Sequence, residues 1–458
     1  MHASKLLPNA AVICGYARSK KTDESFRKGI RGYLKGNAAE VDRFLARCYY
    51  RVGQYHVAEH LGNALRSLRD IPGIPQRERE NRMFYMAIPP SRFHAVGKIV
   101  KEAGMSATGW NRIVVEKPFG KDTESCRELS EGLKQLFRED QLYRIDHYLG
   151  KPGVKAIANL VQNNPLISGI LSGDRVESVL INWEEDIGTE GRGGYFDQFG
   201  IIRDIAQNHL MQILTLFAME TPDVKEGGEA WRNAKVEVLK KISPIRTRDT
   251  VVGQYQGYLE DKGVPPDSKT PTFALMKLRI DTPRWRSTPF FLRCGKALKD
   301  RLCDVVIKLR PSPSSRPIAS NLIRIRVQPN PALAIRLIAD DGKERWVETP
   351  VSRGATIGGA YATLLWEVIR GERGSFVRYD ELQLAWGIFT PLLHALEKCP
   401  DVVQYRYQRT YMPCSPCANC SSFHNNRRGS SGPDTALQVL RSCLGIERLN
   451  AGVPRSKL

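Results

Sequence analysis

Three things are scarce or missing in this sequence. No run of about 18 apolar residues occurs, and that excludes an ordinary membrane-spanning helix. Cysteine is present but unorganised. The ten residues at 14, 48, 126, 294, 303, 399, 414, 417, 420 and 443 have no regular spacing outside the tail, so reduced thiols in a reducing compartment are expected, not a disulfide framework. Acidic residues are the third shortage: 49 Asp and Glu stand against 69 Lys and Arg, a formal charge of +20. Such an excess suggests nucleic acid, an acidic membrane or small anions as partners. It is dispersed, because the tail from Cys414 holds six basic residues (Arg427, Arg428, Arg441, Arg448, Arg455, Lys457) against Asp434 and Glu447, a net of only +4. Dispersed charge fits attraction of phosphorylated metabolites better than a nucleic-acid groove.

A chain of 458 residues with a hydrophobic fraction of 41% is too long for one ordinary core, so at least two domains are expected. Its start, MHASKLLPNAAVICGYARSKK, has a short apolar run broken by Pro8 and followed by basic residues, which reads as a strand and not as a cleaved signal peptide. A soluble, intracellular protein is the expectation.

Ala11 to Gly15 (AVICG) predicts a buried strand, and residues 22 to 48 a helix. MFYMAIPP (83 to 90) predicts a second strand, FHAVGKIVKEAG (93 to 104) a helix, and WNRIVVEKPFG (110 to 120) a third strand with Lys117 at its end. This alternation predicts a parallel, doubly wound α/β sheet, whose ligands bind beyond the carboxyl ends of the strands. After about residue 152 the runs VESVLINWEED, TFALMKLRID, DVVIKLR, NLIRIRVQP and ERWVETPV alternate with period 2 and predict a large, mainly antiparallel sheet. Interleaved helices are expected at 199 to 220 and 358 to 372, giving an α+β second part with helices over one sheet face. No internal repeat is visible. From Cys414 the Ser, Asn and Gly content without hydrophobic period predicts a disordered tail to residue 458.

A Gly-rich turn between the first strand and first helix, where backbone amides bind pyrophosphate, is also missing. Gly29, Gly32 and Gly36 (GIRGYLKG) imitate its spacing, but they fall inside a charged helical stretch and follow no strand. Either no dinucleotide is bound, or the chain begins after the loop.

The stretch RIDHYLGK (144 to 151) gathers Asp146, His147, Tyr148 and Lys151 within six positions. It reads either as a solvated linker or as a site for an anionic, hydroxyl-rich ligand, with His147 and Tyr148 as hydrogen-bond donors and Lys151 as a point charge. Asp146 would orient its neighbours. Gly150 and Gly153 around Pro152 would let the chain turn sharply. In the tail, Cys414, Cys417, Cys420 and His424 imitate a zinc site, but four ligands in so short a span are cramped, so no metal is expected. Ser456, Lys457 and Leu458 form a peroxisome-type address, leaving cytoplasmic and peroxisomal or glycosomal locations open.

RIDHYLGK, GTEGRGGYFDQFGIIRDIAQNHLMQ (188 to 212) and IVVEKPFGKD (113 to 122) together resemble the glucose-6-phosphate dehydrogenase family. VICGYARSK, MFYMAIPP, FFLRCGKAL, IRVQPN, FVRYDEL and AWGIFTPLLH extend the resemblance over residues 11 to 413. It implies a Rossmann-like coenzyme domain at 1 to 152, its first strand and Gly-rich loop upstream of Met1, and a larger β+α domain at 153 to 413 for substrate and dimerisation. It further implies oxidation of glucose 6-phosphate to 6-phosphogluconolactone with NADP, by a homodimer or homotetramer, without nucleic acid or membrane.

Carried over residue by residue, Arg18 matches the group that takes the adenosine 2'-phosphate, and a guanidinium fork suits that dianion. The alternative for Arg18 is a solvated strand-end cation. His209 matches the catalytic base and Asp204 the carboxylate that orients it, although a His in an apolar helix is more often structural. Lys117 matches a contact to sugar and coenzyme. Glu185, Lys296 and Gln328 match further sugar-phosphate contacts, beside His147, Tyr148 and Lys151. Arg293, Arg301 and Arg326 fall near the family's second, structural NADP, but Leu302 replaces a lysine there, so that site is expected absent or weak. Phe93 replaces a common tyrosine. The alternatives are a catalytically impaired paralogue that keeps sugar-phosphate binding or assembly and, more remotely, a basic nucleic-acid or zinc-binding protein.

Overall fold

The computed structural model describes residues 7–8, 10–69, 71, 80–220, 222, 228–311, 321–351, 358–398 and the backbone of 404–407. The Cys414 to His424 cluster, the expected disordered tail and the final Ser-Lys-Leu lie outside the described residues. The chain divides into two units: residues 1–150 with 224–232 and 355–383, and residues 151–223 with 233–354 and 384–458.

The first unit is the expected parallel α/β arrangement. Strands β1 (Ile13–Ala17) and β2 (Cys48–Val52) pair in parallel, as do β3 (Arg82–Met86), β4 (Asn111–Glu116) and β5 (Leu142–Ile145) in the order β3-β4-β5. The apolar run of β4 leaves Ile113, Val114 and Val115 with no exposure, as a strand covered on both faces requires. β1 was expected to be buried and is only half-buried, because among the described strands it pairs with β2 alone. The helix expected over 22 to 48 is two helices, Asp23–Arg31 and Ala38–Leu45, followed by β2. Thr22 and Asn37 each begin one with a reciprocal capping box, and the second cap sits where the single-helix reading ran straight through. The first helix does follow a strand, contrary to the reading of GIRGYLKG. Its glycines nevertheless fall at the wrong end, since Gly29 is in the last turn and Gly32 is the C-cap.

The helix Ala360–Arg370, assigned above to the second region, lies in the first unit. Its Leu364 and Val368 join Val114, Tyr143, Ile145 and Phe376 in one buried cluster against β4 and β5.

The second unit is built on a nine-stranded sheet. Its strands are β6 (Val176–Glu184), β7 (Thr250–Tyr255), β8 (Phe273–Arg279), β9 (Pro289–Gly295), β10 (Leu302–Leu309), β11 (Leu322–Gln328), β12 (Ala332–Ile338), β13 (Glu344–Pro350) and β14 (Gln404–Tyr407). They are ordered β13-β12-β11-β10-β6-β9-β8-β7-β14, with every neighbouring pair antiparallel except β6–β9 and β7–β14. β6 and β10 are buried on both faces over most of their length, so their period-2 pattern does not mark a solvent side. No described helix is long and apolar enough to cross a membrane.

Neither Gly150 nor Gly153 takes the left-handed conformation that a sharp turn would need. Both serve close packing instead: a Cβ on Gly150 would collide with the Ala360 carbonyl, and one on Gly153 with the Val327 carbonyl of β11. Gly153 opens the helix Pro152–Asn163, with Pro152 at its first position. Gly153→Ala is expected to lift that helix off β11 and lower stability by about 1–3 kcal/mol, seen as a lower urea midpoint. An unchanged midpoint would show that β11 yields without cost.

Candidate functional site

In the first unit the expected residues gather where the parallel strands end. Lys117 directly follows β4, and Asp146 and His147 directly follow β5. The buried Asp146 carboxylate accepts the Tyr148 N–H at 2.9 Å, and this bond shapes the single 3-10 turn His147–Gly150. The partner of this bond is the Tyr148 backbone and not its side chain. His147 is half-buried and stacks on the Tyr361 ring, with centroids 5.8 Å apart and planes 5° from parallel, and it meets Tyr148 edge-on at 5.1 Å. The Glu116 carboxylate accepts hydrogen bonds from Tyr85 and Tyr361. Burial first, then this carboxylate, pushes both phenols above their ordinary pKa, so both stay protonated donors. Arg18 is exposed beyond the carboxyl end of β1, its guanidinium 5.5 Å from the Tyr55 ring centroid. Phe93 is fully buried at the start of its helix, a core position.

In the second unit two pairs form. Lys151 Nζ donates to Gln328 Oε1 at 2.6 Å, linking the start of the helix Pro152–Asn163 to the end of β11. Lys296 Nζ lies 2.6 Å from Glu185 Oε2, with both side chains mostly buried, and 5.7 and 5.4 Å from the Trp183 and Phe196 ring centroids. Parallel pairing of β6 and β9 brings these two residues to the same sheet end, where Glu185 N–H donates to the Gly295 carbonyl.

Asp204 and His209 belong to the same unit, and the helix expected over 199 to 220 is not a plain α-helix. Residues Ile202–Leu210 form a π-helix that continues as an α-helix over Met211–Ala218. In an α-helix two residues five apart would point about 140° away from each other. Hydrogen bonding from i to i+5 instead brings residues five apart nearly above one another. The π-helix thus carries Asp204 and His209 on one face. It packs on β6 and β9. Burial pushes the Cys294 thiol up, and the Asp204 charge adds to that rise, which sets Asp204 beside the β9 segment leading to Lys296. His209 itself is 1% exposed.

Two of the arginines considered for a second coenzyme are engaged. Arg293 is buried and pairs with Glu184, and Arg326 pairs with Glu348; Arg301 is exposed. Tyr361, Tyr85 and Glu116 were not foreseen, and nothing in AYATLL signals that Tyr361 will stack on a residue so distant in sequence. Trp183 and Phe196 lie inside the quoted motifs, but neither the alternation of the strand Val176–Glu184 nor the short helix Gly193–Phe196 shows that they flank Lys296.

A Rossmann-like unit and a larger unit with a mainly antiparallel sheet, the latter carrying a His–Asp pair on a π-helix, are the parts of a two-domain NAD(P)-binding protein. The family model "Glucose-6-phosphate dehydrogenase, NAD binding domain" matches residues 1–156, and "Glucose-6-phosphate dehydrogenase, C-terminal domain" matches residues 159–441. The chain is 42% identical over 417 residues to glucose-6-phosphate 1-dehydrogenase 6, cytoplasmic, of Arabidopsis thaliana, covering 86% of this chain and 81% of that protein. It is 40% identical over 424 residues to glucose-6-phosphate 1-dehydrogenase of Drosophila melanogaster, covering 87% and 80%. A solved glucose-6-phosphate dehydrogenase in complex with its substrate glucose 6-phosphate superposes with a TM-score of 0.82 at 34% identity, covering 94% of each chain. The enzyme of Mycobacterium avium gives 0.79 at 29% identity, covering 92% and 91%. The chain belongs to the glucose-6-phosphate dehydrogenase family.

Proposed function

We propose that this protein oxidises D-glucose 6-phosphate to 6-phosphogluconolactone with NADP, working as a homodimer or homotetramer. Residues 1–152 would bind coenzyme and 153–413 substrate. The observation that carries the reading is the His209–Asp204 pair on a π-helix in a chain of this family. NADP, when bound, supplies the hydride acceptor. The described residues fit its adenosine 2'-phosphate end, since Arg18 offers an exposed planar cation over an aromatic ring, and phosphate dianions favour such a fork. Lys117, at the strand end, would contact both coenzyme and sugar.

His209 takes the proton of the sugar's C1 hydroxyl as the C1 hydrogen departs with its electron pair and the C1–O bond becomes the lactone carbonyl. Asp204 holds the imidazole in the accepting tautomer and stabilises the imidazolium that forms. His147, Tyr148 and Lys151 hold the phosphate, with Gln328 fixing the Lys151 ammonium and Tyr361 fixing the His147 ring. Glu185 and Lys296, paired in a mostly buried setting, present an acceptor and a donor to sugar hydroxyls.

The test is the growth of NADPH absorbance when the full chain meets glucose 6-phosphate and NADP, with a turnover expected in the ordinary range of about 1–10³ s⁻¹. Titration calorimetry with glucose 6-phosphate runs beside it. Binding without turnover would favour a sugar-phosphate-binding paralogue, and the absence of both would overturn the reading.

A further inference from the structure

A second opening lies in the first unit, at the other end of its parallel strands. Lys117 and His147 follow the carboxyl ends of β4 and β5, whereas this cleft, of about 760 Å³, is lined by residues at their amino ends, among them Arg112 and Tyr143. The six residues of β4, at about 3.3 Å each, separate the two places. Its volume is within the ordinary range for a small-molecule site.

The walls are basic. Lys101, Arg112, Lys134, Arg138 and Arg373 line the cleft against one carboxylate, Asp140. Arg138 is spent on Asp140 through two bonds of 3.0 and 2.9 Å, and Arg373 pairs with Glu229 at 2.9 Å. The other three cations have no ion-pair partner among the described residues. Arg112 donates to the Val368 and Ile369 carbonyls at 2.6 Å and stacks 4.0 Å from the Trp110 ring centroid, while burial lowers its pKa. Lys134 sits 3.1 Å above the Tyr379 ring centroid, and Lys101 is exposed.

A second observation points to a ligand. Tyr143 is only 2% exposed, yet it lines the cleft, and its hydroxyl has no hydrogen-bond partner among the described residues. Burial raises the pKa of that phenol, and the charges of Arg112 and Arg373 oppose the rise. Arg112 is partly buried, and its charge and the cleft-lining Tyr143 phenol are both best satisfied by an acceptor that enters the cleft. A single carboxylate would leave charge uncompensated, while a phosphate or diphosphate matches both the charge and the donor count. Trp110, Met105 and Leu136 add apolar wall beside these donors.

We propose that this cleft binds a phosphorylated organic anion of nucleotide size, with Lys101, Arg112, Lys134 and the Tyr143 hydroxyl on its phosphates and the Trp110 side against its apolar part. The site is distinct from the catalytic one and does not depend on the activity proposed above.

The test is titration calorimetry of the full chain with ADP and, separately, inorganic pyrophosphate, in an Arg18→Ala/Lys151→Gln background that disables the coenzyme and sugar-phosphate ends. ADP is expected to bind in that background, more tightly than pyrophosphate because it also meets the apolar wall. Adding Lys101→Gln/Lys134→Gln, two exposed positions, is expected to weaken ADP about tenfold, the order expected for losing two charge contacts. Tyr143→Phe, which keeps the ring, is expected to weaken it several-fold. No ADP binding in the background, or affinity untouched by the lysine pair, overturns the proposal. Binding of pyrophosphate as tight as that of ADP overturns the nucleotide-sized ligand.

Discussion

Replacing His209 by asparagine is expected to lower turnover by about 10²–10⁴-fold while leaving glucose 6-phosphate affinity nearly unchanged. The residue sits at 1% exposure on a π-helix packed against β6 and β9, and Asn fills similar space, so the fold has little reason to change. What disappears is an imidazole, the side chain suited to accept a hydroxyl proton near neutral pH. Steady-state kinetics and calorimetry check this together. Turnover within about tenfold of the parent would remove His209 as the base, and a parallel loss of binding would make its role structural. Asp204→Asn tests the partner: if Asp204 positions and charges the imidazole, kcat falls and the low-pH limb of the rate profile moves to lower pH, because the imidazolium loses its counter-charge. A purely structural Asp204 would change stability and leave that limb in place.

The second large effect concerns stability. Arg144, the first residue of RIDHYLGK, is 1% exposed and grips Glu139 through two bonds of 2.7 and 3.0 Å. Its backbone also bridges to Val377, tying β5 to the segment after the helix Ala360–Arg370. Glu139→Ala would leave a buried guanidinium without its carboxylate, and Arg232, also buried, would lose a neighbour at 3.9 Å. A loss of about 3 kcal/mol is expected, read as a lower urea midpoint. Glu139→Gln, which keeps acceptor capacity without charge, should cost less. A Glu139→Ala midpoint equal to the parent's would show that water or a rearranged carboxylate replaces the pair.

These two positions illustrate how unevenly the chain discloses itself. The proposed catalytic pair falls in IIRDIAQNH and is legible there through the family resemblance, yet on α-helical periodicity Asp204 and His209 face different ways, and helical geometry alone separates them. Arg144 stood in the most conspicuous polar cluster of the sequence and was assigned nothing. Its neighbours Asp146, His147, Tyr148 and Lys151 were read as ligand groups, while the residue that carries the structural load could not be told apart from them by type or spacing. Gly150 and Gly153 were singled out for the wrong property, since both are needed for close backbone approach and neither for positive φ.

What the amino-acid sequence determined by itself was the class of each region. Apolar runs bounded by Pro and Gly mark parallel strands, and repeated alternation marks the larger sheet, because these signals are local and depend only on backbone period. The composition likewise indicated anionic ligands. Tertiary structure alone decided which local pieces share a surface. It bonded residues 202 to 210 from i to i+5, stacked Tyr361 on His147, placed Glu185 and Lys296 at one sheet end, and gathered Lys101, Arg112, Lys134 and Tyr143 around a cleft. The reason is physical: such contacts join residues tens to hundreds of positions apart, and their free energy comes from burial and pairing that exist only once the intervening chain has folded.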